Sequence, residues 1–325
     1  NVAIDGDTIV SGSLDGTVRI WNAASGEEQH VLNRHSHSVT SVAIQGDTIV
    51  SGSLDSTVRI WNATSGEERH VLKGNPGRVF SVAIQGDTIV GGFYDDTVRI
   101  WNATSGEEQH VLEGHSDDVN SVAIQGDTIV SGSGDNTVRT WNATSGGTRH
   151  VLKGHSSPVN SVAIQGDTIV SGSDDKTVRI WNATSHILKG HSGYFYSMAI
   201  DDDTIVEEQH VLKGHSGYVY SVAIGGDTIV SGSYDNTVRI WNATSGEEQH
   251  VLKGHSDGVL SVAIQGNTIV SGSSDSTVRI WNATSGEEQD VLRGHPGRVF
   301  SVAIQGDTIV SGSYDKTVRI WNATS

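Results

Sequence analysis

Trp-Asn recurs at residues 21, 61, 101, 141 and 181, and again at 241, 281 and 321. A period of 40 residues restricts the chain to repeat architectures, in which each unit is one supersecondary element that buries its faces only against neighbouring copies. A complete unit, residues 115–154, reads HSDDVNSVAIQGDTIVSGSGDNTVRTWNATSGGTRHVLKG. Four short runs rich in β-branched residues, SVAI, TIV, TVR and HVL, are divided by turn formers: Gly126-Asp127, then Gly134-Asp135-Asn136, then a longer loop at 142–146. No 3.6-residue periodicity accompanies them, which sets aside the helical solenoids of similar repeat length. Each unit is therefore expected to be a small four-stranded antiparallel sheet. Radial stacking of such sheets limits exposed edges.

Gly-His, then Ser-Gly-Ser-x-Asp, then Ile-Trp-Asn resembles the Gly-His to Trp-Asp signature of the WD40-repeat family, over the whole chain. The departure is Asn as the second signature residue in every copy, which leaves the buried bulk of the Trp in place. The resemblance implies an all-β β-propeller formed by residues 1–325 as one domain, part of a longer protein. Nine first-strand motifs begin, but only eight units reach their Trp. Between Trp181 and Trp241 the spacing is 60, so one unit has lost residues. The expectation is eight Trp-bearing blades plus one truncated blade at 186–215, nine units in all, with 192–215 a two-stranded hairpin wedged among the fuller blades. The last unit stops at Ser325 before its fourth strand. That open edge is expected to take residues from outside this stretch or to self-associate.

Composition narrows function further. The formal charge of −17 sets repulsion in front of DNA, RNA and acidic lipid, so no nucleic acid is expected as a partner. No apolar run approaches the ~18 residues that span a bilayer, so no membrane insertion is expected. The absence of cysteine removes disulfides and thiolate chemistry and favours a reducing, cytoplasmic setting. Asn-Ala-Thr at 62, 102, 142, 182, 242, 282 and 322 is an ordinary turn sequence, and becomes a ring of glycan sites if the protein is extracellular.

Every complete unit offers Ser, His and Asp, the residue types of a hydrolytic triad. Repetition argues against that use, since an enzyme needs one asymmetric site. The family resemblance implies instead a structural network in which Asp and Ser orient a His that reaches the Trp indole. The sets are His115, Ser131, Asp135, Trp141 and His155, Ser171, Asp175, Trp181, with further copies at 35/51/55/61, 215/231/235/241, 255/271/275/281 and 295/311/315/321. Unit three breaks the pattern with Asn75 and Gly91, and its blade is expected to be the least rigid. No catalytic residue, metal ligand or cofactor is assigned. The histidines at 30, 70, 110, 150, 210 and 250 are read as a solvated outer edge whose acidic pairs discourage sheet-to-sheet aggregation. Asp201-Asp202-Asp203 lacks the spacing and glycine of a calcium loop.

Against so uniform a template, the residues that differ between copies carry the functional signal. They fall in the loop before SVAI and beside the turn Asp. A meander places both loops on one face, whereas QGD and NATSGEE on the opposite face scarcely change. All seven tyrosines occupy variable positions. The expected ligand-binding residues are Arg78, Phe80, Tyr94, Tyr194, Tyr196, Tyr218, Tyr220, Tyr234, Arg298, Phe300 and Tyr314, because exposed Tyr and Arg give large contacts with a polar handle. Near-identical repeats with one variable face are similar to the recognition domains of NACHT-type receptors. The reading is a non-enzymatic propeller that binds a protein or peptide. Its alternatives are a carbohydrate-binding propeller and a structural module of an extracellular assembly.

Overall fold

The computed structural model describes residues 1–72, 77–183 and 208–323. Among these the chain forms eight antiparallel sheets, seven of four strands and a last one of three. In blade four, Val119–Gln125, Thr128–Ser133, Val138–Asn142 and Thr148–Leu152 pair in sequence order as a meander. The second strand is covered on both faces: Ile129, Val130, Ser131 and Ser133 are fully buried. Its Gly132 has no room for a side chain, because a Cβ there would stand 2.6 Å from Val159 Cγ1 of the next blade.

The core lies between the sheets rather than within any of them. Val90, Val98, Ile100 and Leu112 of blade three pack on Val119, Val122, Ile129 and Trp141 of blade four. The same grouping recurs around the molecule, and eight such clusters serve eight blades. An open arc of eight sheets would have seven. The eighth joins Val310 of the last blade to Val2 and Ile9 of the first, so the ring closes. Burying each Trp is worth on the order of 5 kcal/mol relative to exposure.

A hydrogen bond marks every seam. The SVAI serine accepts from the backbone N–H of the next blade's first strand, as Val82 N to Ser41 Oγ at 3.1 Å and Val122 N to Ser81 Oγ at 3.1 Å. The closing seam uses the same bond, Val2 N to Ser301 Oγ at 3.1 Å. Where the first blade has no SVAI serine, Asn1 Oδ1 accepts from Val42 N at 3.2 Å.

This arrangement corrects the nine-unit expectation. Blade five packs directly on blade six, through Val222 N to Ser161 Oγ at 3.2 Å and through a shared core of Val170, Ile180, Leu212 and Val219. Among the described residues no sheet stands between them. Glu208–Lys213, expected in a hairpin at 192–215, is instead the fourth strand of blade five, in the register Ile180↔His210 and Val178↔Leu212. The physical reason is completeness. Blade five's own following segment, Ser185-His186-Ile187-Leu188, lacks the Gly-Glu-Glu-Gln stretch, whereas 207–210 supplies Glu208, which binds Arg179 beside Trp181. The rest of the expected truncated blade lies outside the described residues.

Candidate functional site

Beneath one face of the ring, each standard blade carries a closed polar network. In blade four His115 Nδ1 lies 2.8 Å from Asp135 Oδ2, and His115 Nε2 lies 2.8 Å from Ser131 Oγ. Trp141 Nε1 donates to the same Ser131 Oγ at 2.9 Å. Serine is thus the hub between His and Trp, which corrects the expected order, and the two rings meet edge to face at 6.0 Å. Blade five repeats it with His155, Ser171, Asp175 and Trp181. Thr137 is a member that the sequence reading missed: its hydroxyl donates to Asp135 Oδ1 at 2.7 Å and lies 3.2 Å from His115 Nδ1.

Burial lowers the pKa of His35, His155 and His295 even though a carboxylate faces each ring. A neutral ring then donates Nδ1–H to Asp and accepts the Ser hydroxyl at Nε2. For Asp135, Asp175, Asp235 and Asp275 burial acts to raise the pKa, but hydrogen bonds from His and Thr outweigh it and hold each carboxyl well below its usual range. The geometry is that of a hydrolytic triad, yet the serines are fully buried and already accept from Trp. No substrate reaches them. The network braces the His and Asp loops from below.

Blade three replaces that network with packing. Gly91 stands in the serine's place, and Phe93, fully buried, fills the space against Trp101 with ring centroids 5.8 Å apart. A Cβ on Gly91 would sit 2.8 Å from Phe93 Cε2. Asp95 turns to Arg99 at 3.3 Å. Asn75 lies outside the described residues.

The face formed by QGD and NATSGEE is tied from blade to blade by side chains. Gln45 Oε1 accepts from Gly86 N at 2.7 Å, and Gln265 Oε1 from Gly306 N at 2.8 Å. The outer-strand histidines reach across the same seams: His30, His70 and His110 each place Nε2 2.9 Å from the carbonyl of Thr64, Thr104 and Thr144 in the next blade, and His210 and His250 do so at 3.0 Å from Thr244 and Thr284. These rings are inter-blade staples, which corrects their reading as a merely solvated edge. The second glutamate of each acidic pair is also engaged, as Glu108 with Arg99 at 3.0 Å and Glu248 with Arg239. In Asn-Ala-Thr, the Asn62 side-chain Oδ1 accepts from Thr64 N at 2.9 Å and Ser65 N at 2.7 Å, so the motif forms a structural turn.

On the variable face the two loops of one blade are joined by a backbone hydrogen bond, beside a serine hydroxyl that reaches the same loop, as Ser233 Oγ to Gly217 O at 3.0 Å. Tyr94 N donates to Arg78 O, Tyr234 N to Tyr218 O and Tyr314 N to Arg298 O, each at 2.9 Å. A bond that uses no side chain leaves the side chains free to differ. Residues after the turn Asp sit in the left-handed region, φ 66° at Ser56 and Asp96 and 70° at Asn136 and Lys176, a strain of about 1 kcal/mol each.

The expected binding residues gather on three blades. Phe80 meets Tyr94 at 6.3 Å, with Arg78 stacked 5.8 Å from the Tyr94 centroid. Tyr218 and Tyr220 each meet Tyr234 at 6.3 Å. Phe300 meets Tyr314 at 6.2 Å, with Arg298 exposed nearby in sequence. Tyr94, Tyr234 and Tyr314 are 54%, 59% and 63% exposed. Tyr194, Tyr196 and Asp201-Asp202-Asp203 lie outside the described residues. Blades two and four use the position of Phe80 differently: Thr40 Oγ1 bonds Val79 O at 2.7 Å and Asn120 Nδ2 bonds Val159 O at 3.1 Å, stapling the next blade.

Residues to which the sequence reading gave no role also meet on this face. Asp96 of blade three and Asp117 and Asp118 of blade four bring carboxylate oxygens within 4.8 Å of one another. Burial, reinforced by the Asp117 charge, raises the pKa of Asp96 and Asp118.

A closed ring of eight repeated meanders with an internal His–Ser–Trp network in its standard blades defines a β-propeller. The chain belongs to the WD40 family: the model for "WD domain, G-beta repeat" matches residues 2–22, 26–62, 66–102, 106–142, 146–182, 206–242, 246–282 and 286–322. Among solved structures it is similar to the computationally designed Ika8 protein, with TM-score 0.87 and 27% identity over 99% of this chain and 95% of that one. It is also similar to the WD40 β-propeller domain of Doa1, with TM-score 0.69 and 25% identity over 96% of each chain. No curated protein matches it in sequence. Propellers of this family typically serve as protein-interaction scaffolds without catalysis.

Proposed function

We propose that this propeller is a recognition module that binds a protein or peptide on its variable face and performs no chemistry on it. The observation that carries this reading is the exposure of paired aromatic side chains at the three blades where both variable loops carry one. Large rigid side chains with a polar tip supply contact area at low conformational cost, and a few such residues dominate typical interfaces. The fold has no need of them there, since blades two, four, five and seven close the same loops without that pair.

The test is binding of a cognate partner to immobilised wild-type protein and to a variant carrying Tyr218→Ala, Tyr220→Ala and Tyr234→Ala. Affinity should fall by at least tenfold, the scale of a single strong interface residue, while the melting temperature stays nearly constant. Equal affinity would refute the assignment of this face.

A further inference from the structure

Blades three, six and eight carry large side chains at the same three variable positions, the second being Phe80, Tyr220 and Phe300 and the third a tyrosine in each. The first position is Arg78 in blade three and Arg298 in blade eight, but Tyr218 in blade six. In blade three the guanidinium carbon of Arg78 lies 5.8 Å from the Tyr94 ring centroid, so the protein lays its own cation on its aromatic face. Blade six has the aromatic face and no such arginine. Tyr218 lies 6.3 Å from Tyr234 with the ring planes 32° apart, and Tyr220 meets Tyr234 edge-on at 6.3 Å and 89°. Tyr218 and Tyr234 are 45% and 59% exposed.

Both neighbouring blades bring an acidic residue toward this corner. Asp174 of blade five is close enough that its charge acts on the Tyr220 phenol, and Asn160 Nδ2 holds its Oδ1 at 2.7 Å. Asp257 of blade seven precedes Gly258, where a Cβ would lie 3.3 Å from Tyr234 Cδ2. Ring faces attract a cation through their quadrupole, and nearby carboxylates add to the attraction. The chain's formal charge of −17 speeds the approach of a basic partner. Resting on the reading of this face as a recognition surface, we propose that the three-tyrosine corner of blade six binds the guanidinium or ammonium group of an arginine or lysine presented by a partner protein. The Arg78–Tyr94 pair is the internal model of that contact.

The proposal is tested with three blocked peptides in which Gly-Ser flanks enclose triarginine, trilysine or triglutamate. Each is titrated to millimolar concentration into the full chain labelled with 13C in its tyrosine rings. The arginine and lysine peptides should shift the resonances of Tyr218, Tyr220 and Tyr234, more weakly as salt is raised, and the glutamate peptide should not. Tyr218→Arg places in blade six the residue that blades three and eight already carry, so the fold is kept and the slot is filled from within. It should weaken binding of both cationic peptides at least tenfold with an unchanged melting temperature. Arg78→Tyr should add a second site on blade three. If neither cationic peptide shifts these rings, or if triglutamate does, the cation assignment is overturned, while the alanine variants still judge the broader reading of the face. If the cationic peptides bind but Tyr218→Arg leaves their affinity unchanged, diffuse charge rather than this corner holds them, and the proposal fails.

Discussion

The two faces of the ring are built from the same 40-residue template, yet they are held together differently. On the QGD and NATSGEE face, neighbouring blades are joined by side chains: Gln45 reaches Gly86, and His70 reaches the Thr104 carbonyl. Where Gln or His makes such a bond, a change in one copy breaks a contact with the next. On the opposite face, the variable loops of a blade are joined by a backbone bond, as Tyr234 N to Tyr218 O, and in the standard blades braced from below by the His–Ser–Asp network. Some of their side chains also reach a neighbouring blade, as Thr40 Oγ1 to Val79 O and Asn120 Nδ2 to Val159 O, whereas Tyr94, Tyr234 and Tyr314 stand exposed. Near-identity on one face and variation on the other accord with where these bonds are placed.

Acid should act most strongly, because it reaches every buried network at once. His35, His155 and His295 have lowered pKa values in the fold, so below the ordinary imidazole value of ~6.5 the unfolded chain takes protons that the folded chain refuses, and stability falls. The lowered Asp55, Asp135, Asp175, Asp235, Asp275 and Asp315 contribute stability that is full above the unfolded carboxylate value of ~3.9 and is lost as pH falls toward their folded values. Melting temperature followed from pH 8 to pH 3 should decline in two stages, the first beginning near pH 6.5. A flat profile down to pH 5 would contradict the assignment of neutral buried histidines.

Removing a single hub comes next. Ser131→Ala leaves both His115 Nε2 and Trp141 Nε1 without their shared partner and should cost about 2–4 kcal/mol by urea denaturation. A blade-three graft, His115→Asn with Ser131→Gly and Ser133→Phe, should cost less than that single change, because aromatic packing then fills the site as Phe93 does. On the side-chain-tied face, His70→Ala loses one inter-blade hydrogen bond and should cost about 1 kcal/mol. On the variable face, Tyr314→Ala removes a side chain that is 63% exposed and should change stability by less than about 0.5 kcal/mol. If Tyr314→Ala proved as costly as His70→Ala, the contrast between the faces would collapse.

Much of this was legible in the sequence. The Trp spacing fixes the unit, the turn formers fix four strands within it, and a meander then assigns each loop to a face. The network's His, Ser, Asp and Trp stand out by recurrence. Thr137 does not, because in Thr-Val-Arg it reads as an ordinary strand residue until the turn brings it to Asp135. The staple role of His30 is invisible for a different reason: its partner is a backbone carbonyl, which every residue has, in a unit 34 residues away. The aromatic pairs are written in the sequence as 80 with 94, 220 with 234 and 300 with 314. They become contacts only through the register that sets Phe93 opposite Val79. The assignment of Glu208–Lys213 turned on which of two competing segments completes blade five, and periodicity alone does not rank them.

The most direct test of the central claim compares the two faces in one experiment. A photo-crosslinking amino acid is placed at Tyr94, Tyr234 or Tyr314 on the variable face, or at Asp47, Asp127 or Asp227 on the opposite face, and each protein is irradiated with its cognate partner. The account predicts that adducts to the partner form from the three tyrosine positions and are absent from the three aspartate positions. Adducts from the aspartate face, with none from the tyrosines, would contradict it.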